Sequence, residues 1–150
     1  MNPPVTLPDF PCYLNGQFIP LNEAKVSVLD RGFIFGDGIY EVVPVYGGAP
    51  FRWEHHHARM ARSLKEIRIP HTDDAATWAQ RIDELIHLHA RHLGQPLSGL
   101  QQLIYIQITR GVALRDHVID PGLSPTVFAM IHTMKPPTAE QRTRGVACTT

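Results

Sequence analysis

From Leu100 to Arg110 the side chains alternate, with Ile104, Ile106 and Ile108 on one side and Leu103, Tyr105 and Gln107 on the other. Successive residues of a strand point to opposite faces, so this run predicts a strand. A strand with one apolar face must bury it against a second layer, which constrains everything around it. Thr126 to Thr133 predicts another strand. Near the start, Tyr13-Leu14-Asn15-Gly16-Gln17-Phe18-Ile19 sets an Asn-Gly pair between two apolar segments, the signal for a tight hairpin. Ile39 to Tyr46 is rich in β-branched and aromatic residues, is closed by Gly47-Gly48, and predicts a third strand that turns into a fourth at Pro50 to Trp53. Pro44 has no N–H to give a ladder, so it marks a bulge or an unpaired edge position.

Between these strands lie two helical patterns. From Glu54 to Ile67, Met60, Leu64 and Ile67 recur at helical spacing and Pro70 closes the segment. Thr72 or Asp73 is placed to cap a second helix with the stripe Trp78, Ile82, Leu85, His89 and Leu93, and Gly94 stands where a left-handed terminator is expected. Strands, then helices, then strands predict an α+β domain: an antiparallel sheet with two helices. The domain is expected over residues 1–133. Lys135-Pro136-Pro137-Thr138 breaks regular structure, so 134–138 reads as a linker. Residues 139–150, with strand composition from Gly145 to Thr150, read as the truncated start of a second domain.

Composition removes several classes of function. Fourteen basic against fourteen acidic side chains leave no basic face for nucleic acid and no polybasic patch for a membrane surface. Pro3, Pro4, Pro8 and Pro11 interrupt the first residues, which resemble neither a signal peptide nor an anchor, and a cytoplasmic protein is expected. Cys12 and Cys148, without CxxC spacing, read as free thiols.

Three places look chemical. Asp30-Arg31-Gly32-Phe33-Ile34-Phe35-Gly36-Asp37-Gly38 is a glycine-studded loop before a strand, neither a P-loop nor a dinucleotide fingerprint. Arg110-Gly111-Val112-Ala113-Leu114-Arg115-Asp116-His117 leaves a strand carrying a planar guanidinium and, two residues on, an imidazole. This is a candidate anion trap, with a solvated loop in which Asp116 pairs a basic neighbour as the alternative. His55-His56-His57 sits near Arg59 and Arg62, but consecutive helical residues point about 100° apart and cannot converge on one ion, so no metal is expected.

The order and spacing of Tyr13-Leu14-Asn15-Gly16, Val28-Leu29-Asp30-Arg31-Gly32, Phe35-Gly36-Asp37-Gly38-Ile39-Tyr40-Glu41-Val42, the Arg59 helix and Thr109-Arg110-Gly111 resemble the N-terminal half of the fold-type IV, or class IV, aminotransferases. The Arg115-Asp116-His117 ending favours the D-amino acid branch. The resemblance implies pyridoxal 5'-phosphate as cofactor, with Arg59 on its phosphate. It implies that Tyr40, Arg115 and His117 bind the substrate α-carboxylate, the last two reaching across from the neighbouring subunit of a homodimer. The implied reaction moves an amino group from a D-amino acid such as D-alanine to a 2-oxo acid such as 2-oxoglutarate or pyruvate. The family lysine that forms the Schiff base lies beyond residue 150. Lys25, Lys65 and Lys135 do not match it, so these 150 residues alone are expected to be inactive. A branched-chain aminotransferase, an R-selective amine transaminase and aminodeoxychorismate lyase share the scaffold and stand as alternatives. A non-catalytic anion-binding or dimerisation module is the alternative of another class.

Overall fold

A computed structural model describes residues 7–70 and 73–149. Six strands among the described residues form one antiparallel sheet. They are β1 (Pro11–Leu14), β2 (Gln17–Pro20), β3 (Gly38–Tyr46), β4 (Ala49–Pro50), β5 (Gln101–Thr109) and β6 (Thr126–Thr133), in the spatial order β2-β1-β6-β5-β3-β4. β1 and β2 are joined by the Asn15-Gly16 turn, both residues at positive φ, which matches the twist of a two-residue hairpin. The Asn15 side chain also accepts from the Val127 amide at 2.8 Å, pinning the turn to the start of β6.

The long helices are α2 (Trp53–Glu66), which packs on β3, and α3 (Ala75–Leu93), which packs on β1 and β6. Alternation decides what they cover. Val43 and Val45 of β3, Ile104, Ile106 and Ile108 of β5, and Ala129 and Ile131 of β6 turn inward. They meet Met60 and Leu64 of α2 and Trp78, Ile82, Leu85 and Ile86 of α3 in one core. Trp78 is fully buried there, and truncating such a side chain costs about 3–5 kcal/mol.

Several expectations shift in detail. Pro44 does lie on an edge: its carbonyl accepts from Phe51 N, so the missing N–H faces the outer side of β3 beside the short β4. The fourth strand is only Ala49–Pro50, and Trp53 opens α2 instead. Asp74 rather than Asp73 caps α3, accepting from Thr77 N at 2.8 Å; Asp73 pairs with Arg81, and Thr72 lies outside the described residues. Gly94 terminates α3 in the left-handed region as expected. Ile67 and Leu93 end their stripes half-exposed, because each sits at or beyond the last helical turn.

Two short helices add to the two long ones. α1 (Arg31–Phe35) occupies what the glycines suggested was a loop, with Asp30 as its N-cap and Gly36 as its left-handed C-cap. After the irregular residues 134–138, α4 (Ala139–Arg144) forms behind a capping box in which Thr138 and Gln141 satisfy each other's backbone amides. Residues 145–149 form no strand, and Thr150 lies outside the described residues.

Candidate active site

α1 is held in place by buried charge. The Asp30 carboxylate caps Gly32 N at 2.7 Å with one oxygen and accepts from the Thr109 and Thr126 hydroxyls at 3.0 and 2.6 Å with the other, tying the helix to β5 and β6. Arg31 and Arg110 share Asp37: Arg31 Nε donates to Oδ2 at 2.9 Å, while Arg110 reaches both oxygens at 2.7 and 3.0 Å. Burial alone would raise the Asp37 carboxyl, but the hydrogen bonds and charges of the two arginines outweigh it and hold it below its ordinary value. Arg110 completes its donors on the Arg68 and Ile67 carbonyls, where α2 ends.

This clasp sets the loop that follows β5. Arg31 Nη1 donates to the Asp116 carbonyl at 2.8 Å, Arg31 N to the Gly111 carbonyl at 2.9 Å, and Ala113 N to the Leu29 carbonyl at 3.3 Å. The loop thus places Arg115 and His117 on one aromatic ring: the Arg115 guanidinium lies 5.3 Å and the His117 ring 5.7 Å from the centre of Phe35. Neither head group makes a hydrogen bond among the described residues, and both side chains are exposed. Asp116 does not neutralise them. Its carboxylate caps Val118 N at 3.0 Å instead.

The other two expected residues meet elsewhere. At the part of β3 that the two-residue β4 leaves uncovered, Tyr40, Glu41, Val42, Arg59 and Ser63 line a hollow of about 310 Å³. Arg59 projects from α2, and Glu41, almost fully buried, grips it with both oxygens: Nε to Oε1 at 2.7 Å and Nη2 to Oε2 at 2.6 Å. His56 Nδ1 stands 2.8 Å from the same carboxylate. Burial would raise the Glu41 carboxyl, but Arg59 and His56 together bring it below its ordinary value. Nη1 of Arg59 has no hydrogen-bond partner among the described residues, and over half of the side chain is exposed. A fixed guanidinium with a free edge, beside the Ser63 hydroxyl, suits one side of a phosphate.

Tyr40 stacks on Tyr105 with ring centres 6.0 Å apart, on the face of the sheet away from the helices. The structure therefore brings Tyr40 beside Arg59 and Arg115 beside His117. Among the described residues, no hydrogen bond or ring contact joins the two pairs. The histidine triplet diverges: His56 turns to Glu41 and His57 packs on Trp53. Both cysteines are free, Cys12 buried and Cys148 exposed.

Sequence reasoning missed Glu41, Asp37, Arg31 and Phe35. For Glu41 a signal existed: a lone carboxylate inside the apolar run Ile39 to Val45 needs a buried partner.

A helix-backed antiparallel sheet of this order is the small α+β domain of the fold-type IV aminotransferases. The amino-transferase class IV family model matches residues 38–150, and the chain belongs to that family. It is 37% identical over 136 residues to a D-alanine aminotransferase of Bacillus licheniformis, covering 91% of the chain and 45% of that protein. Against a D-alanine aminotransferase of Staphylococcus aureus (strain MSSA476) it is 41% identical over 120 residues, covering 78% of the chain and 39% of the relative. The chain thus spans less than half the length of these relatives. Its fold also matches a branched-chain amino acid aminotransferase of Escherichia coli, at a TM-score of 0.69 and 19% identity, over 84% of the chain and 41% of that structure.

Proposed function

We propose that this chain forms the substrate-carboxylate and phosphate side of a pyridoxal-phosphate aminotransferase acting on D-amino acids such as D-alanine, with a 2-oxo acid such as 2-oxoglutarate as acceptor. The observation that carries the reading is the pairing of Arg115 and His117 on the Phe35 ring, both exposed and without a side-chain hydrogen bond among the described residues. The 37% and 41% identity to D-alanine aminotransferases supports the same branch.

Each residue has a defined task in this reading. The guanidinium of Arg115 and the imidazole of His117 take the substrate α-carboxylate between them, which fixes the side from which the Cα–H bond meets the cofactor and so selects D over L. Arg59 holds the cofactor phosphate with its free edge while Glu41 fixes its other edge. The cofactor, when bound, supplies the electron sink that makes the α-proton removable. In this reading the Arg115–His117 pair reaches the Tyr40 side of a neighbouring copy, so the active protein is proposed to be a homodimer. The protein is proposed to be cytoplasmic; no helix among the described residues is long and apolar enough to cross a membrane.

The test is Arg115→Ala in the complete protein. Loss of a charged contact to the substrate should lower kcat/KM for D-alanine at least tenfold, about 1.4 kcal/mol or more. A change within about twofold would refute the D-amino acid reading.

A further inference from the structure

We infer that Phe35 and Arg31 are positioning residues for the Arg115–His117 pair: the ring is the template on which the two head groups are aligned, and Arg31 sets the height of the loop that carries them. The inference rests on the reading of that pair as the carboxylate site, but it concerns residues to which that reading assigns no task. Three cationic or polar heads converge on one ring. Arg31 stands 4.7 Å, Arg115 5.3 Å and His117 5.7 Å from it. Arg115 and His117 are exposed and make no side-chain hydrogen bond among the described residues, so the ring is the contact that restrains their rotamers there. An exposed arginine loses much rotamer freedom on gripping a ligand, and an aromatic ring whose centre lies 5.3 Å from its guanidinium carbon and favours one placement removes part of that loss.

The backbone is fixed independently. Arg31 is almost fully buried, bonded to Asp37 on one edge and to the Asp116 carbonyl on the other, so the peptide between Arg115 and His117 is anchored at its centre. This gives the Asp-Arg-Gly-Phe-Ile-Phe-Gly-Asp-Gly motif a use that its glycines do not explain. It carries the ring and the clasp on α1, one helical turn apart, with Arg31 and Phe35 separated by four residues and therefore on the same side of the helix.

The experiment uses the complete protein, with Arg115 modification by phenylglyoxal followed by mass spectrometry in the absence and presence of propionate. Phe35→Leu should raise the rate at which Arg115 is modified severalfold, and raise the half-protecting propionate concentration and the KM for D-alanine about tenfold, with kcat changed less than about twofold. Phe35→Tyr, which keeps the ring, should restore all of these. Phe35→Met serves as a second ring deletion if the leucine variant fails to fold. Equal modification rates and equal protection in wild type and ring-deleted protein would overturn the inference while leaving the carboxylate site standing. A wild-type Arg115 that propionate does not protect would overturn the carboxylate reading, and the inference with it.

Discussion

Glu41 and Asp37 each sit among basic side chains with carboxyls held below their ordinary values, by Arg59 and His56 in one case and by Arg110 and Arg31 in the other. A carboxyl whose folded-state pKa is depressed adds stability that is complete above its unfolded value, near 4. That stability is lost as pH falls through the folded value. Replacing Glu41 by Gln removes the charge and keeps the shape, and should cost on the order of 1–3 kcal/mol near pH 7. The gap in melting temperature between wild type and Glu41→Gln should then narrow as pH falls from about 4.5 toward 3. A gap that stays constant over that range would show that packing, not charge, is what the substitution disturbs. Gly111 makes a second residue-scale case, since its φ is +103° and a Cβ there would stand 2.0 Å from the Ser124 carbonyl oxygen. No rotamer relieves a backbone collision, so Gly111→Ala should destabilise by more than about 2 kcal/mol, read as a fall in melting temperature. An unchanged melt would mean that the turn between β5 and the Arg115 loop rearranges at little cost.

Elements were legible where periodicity was long, and illegible where a partner decides. The eight or nine residues of β3, β5 and β6 and the stripes of α2 and α3 carry enough repeats to declare their period. α1 has only five residues, one of them glycine, and exists because Asp30 caps it and the Asp37 clasp buries Arg31. A charge in a sequence does not name its partner, so that clasp was beyond reach. α4 was within reach, because Thr138 three residues before Gln141 spells a capping box; the apolar Val146 and Ala147 drew attention to a strand that does not form. Between α3 and β5 lies a polar contact of the opposite kind. Buried His89 meets Gln102 Nε2 at 2.9 Å, leaving Gln102 Oε1 without a partner among the described residues. Burial, with His92 and His132 nearby, pushes the His89 imidazole down. A histidine that must fold neutral gives full stability above its unfolded pKa near 6.5 and loses it as pH falls through that value toward the lower folded one. The double variant His89→Leu/Gln102→Leu replaces both partners with apolar groups, so it should be near neutral in stability at pH 7.5. It should also flatten the decline in melting temperature between about pH 7 and 5. An unchanged slope would place that decline on other histidines.

At the scale of the whole molecule, both long helices cover one face of the sheet, while the opposite face carries Tyr40, Tyr105, Phe128 and Met130, none of them fully buried. Of the candidate residues, Arg59 stands at the uncovered edge of β3 and the Arg115–His117 loop follows the C-terminal end of β5. On the proposed reading, what the chain holds is recognition: guanidinium groups, an imidazole and an aromatic platform. Lys25, Lys65 and Lys135 are exposed, and none lines the hollow around Arg59. Residues 1–150 expressed alone should therefore recognise anions without transferring an amino group. Inorganic phosphate should raise the melting temperature of this chain, and Arg59→Ala should abolish the shift, since Arg59 supplies the free donor edge. D-alanine with pyridoxal phosphate and 2-oxoglutarate should yield no D-glutamate above the enzyme-free rate. Turnover by residues 1–150 would assign the amino transfer to one of the three lysines present. A phosphate shift that survives Arg59→Ala would move the anion site away from the β3 edge.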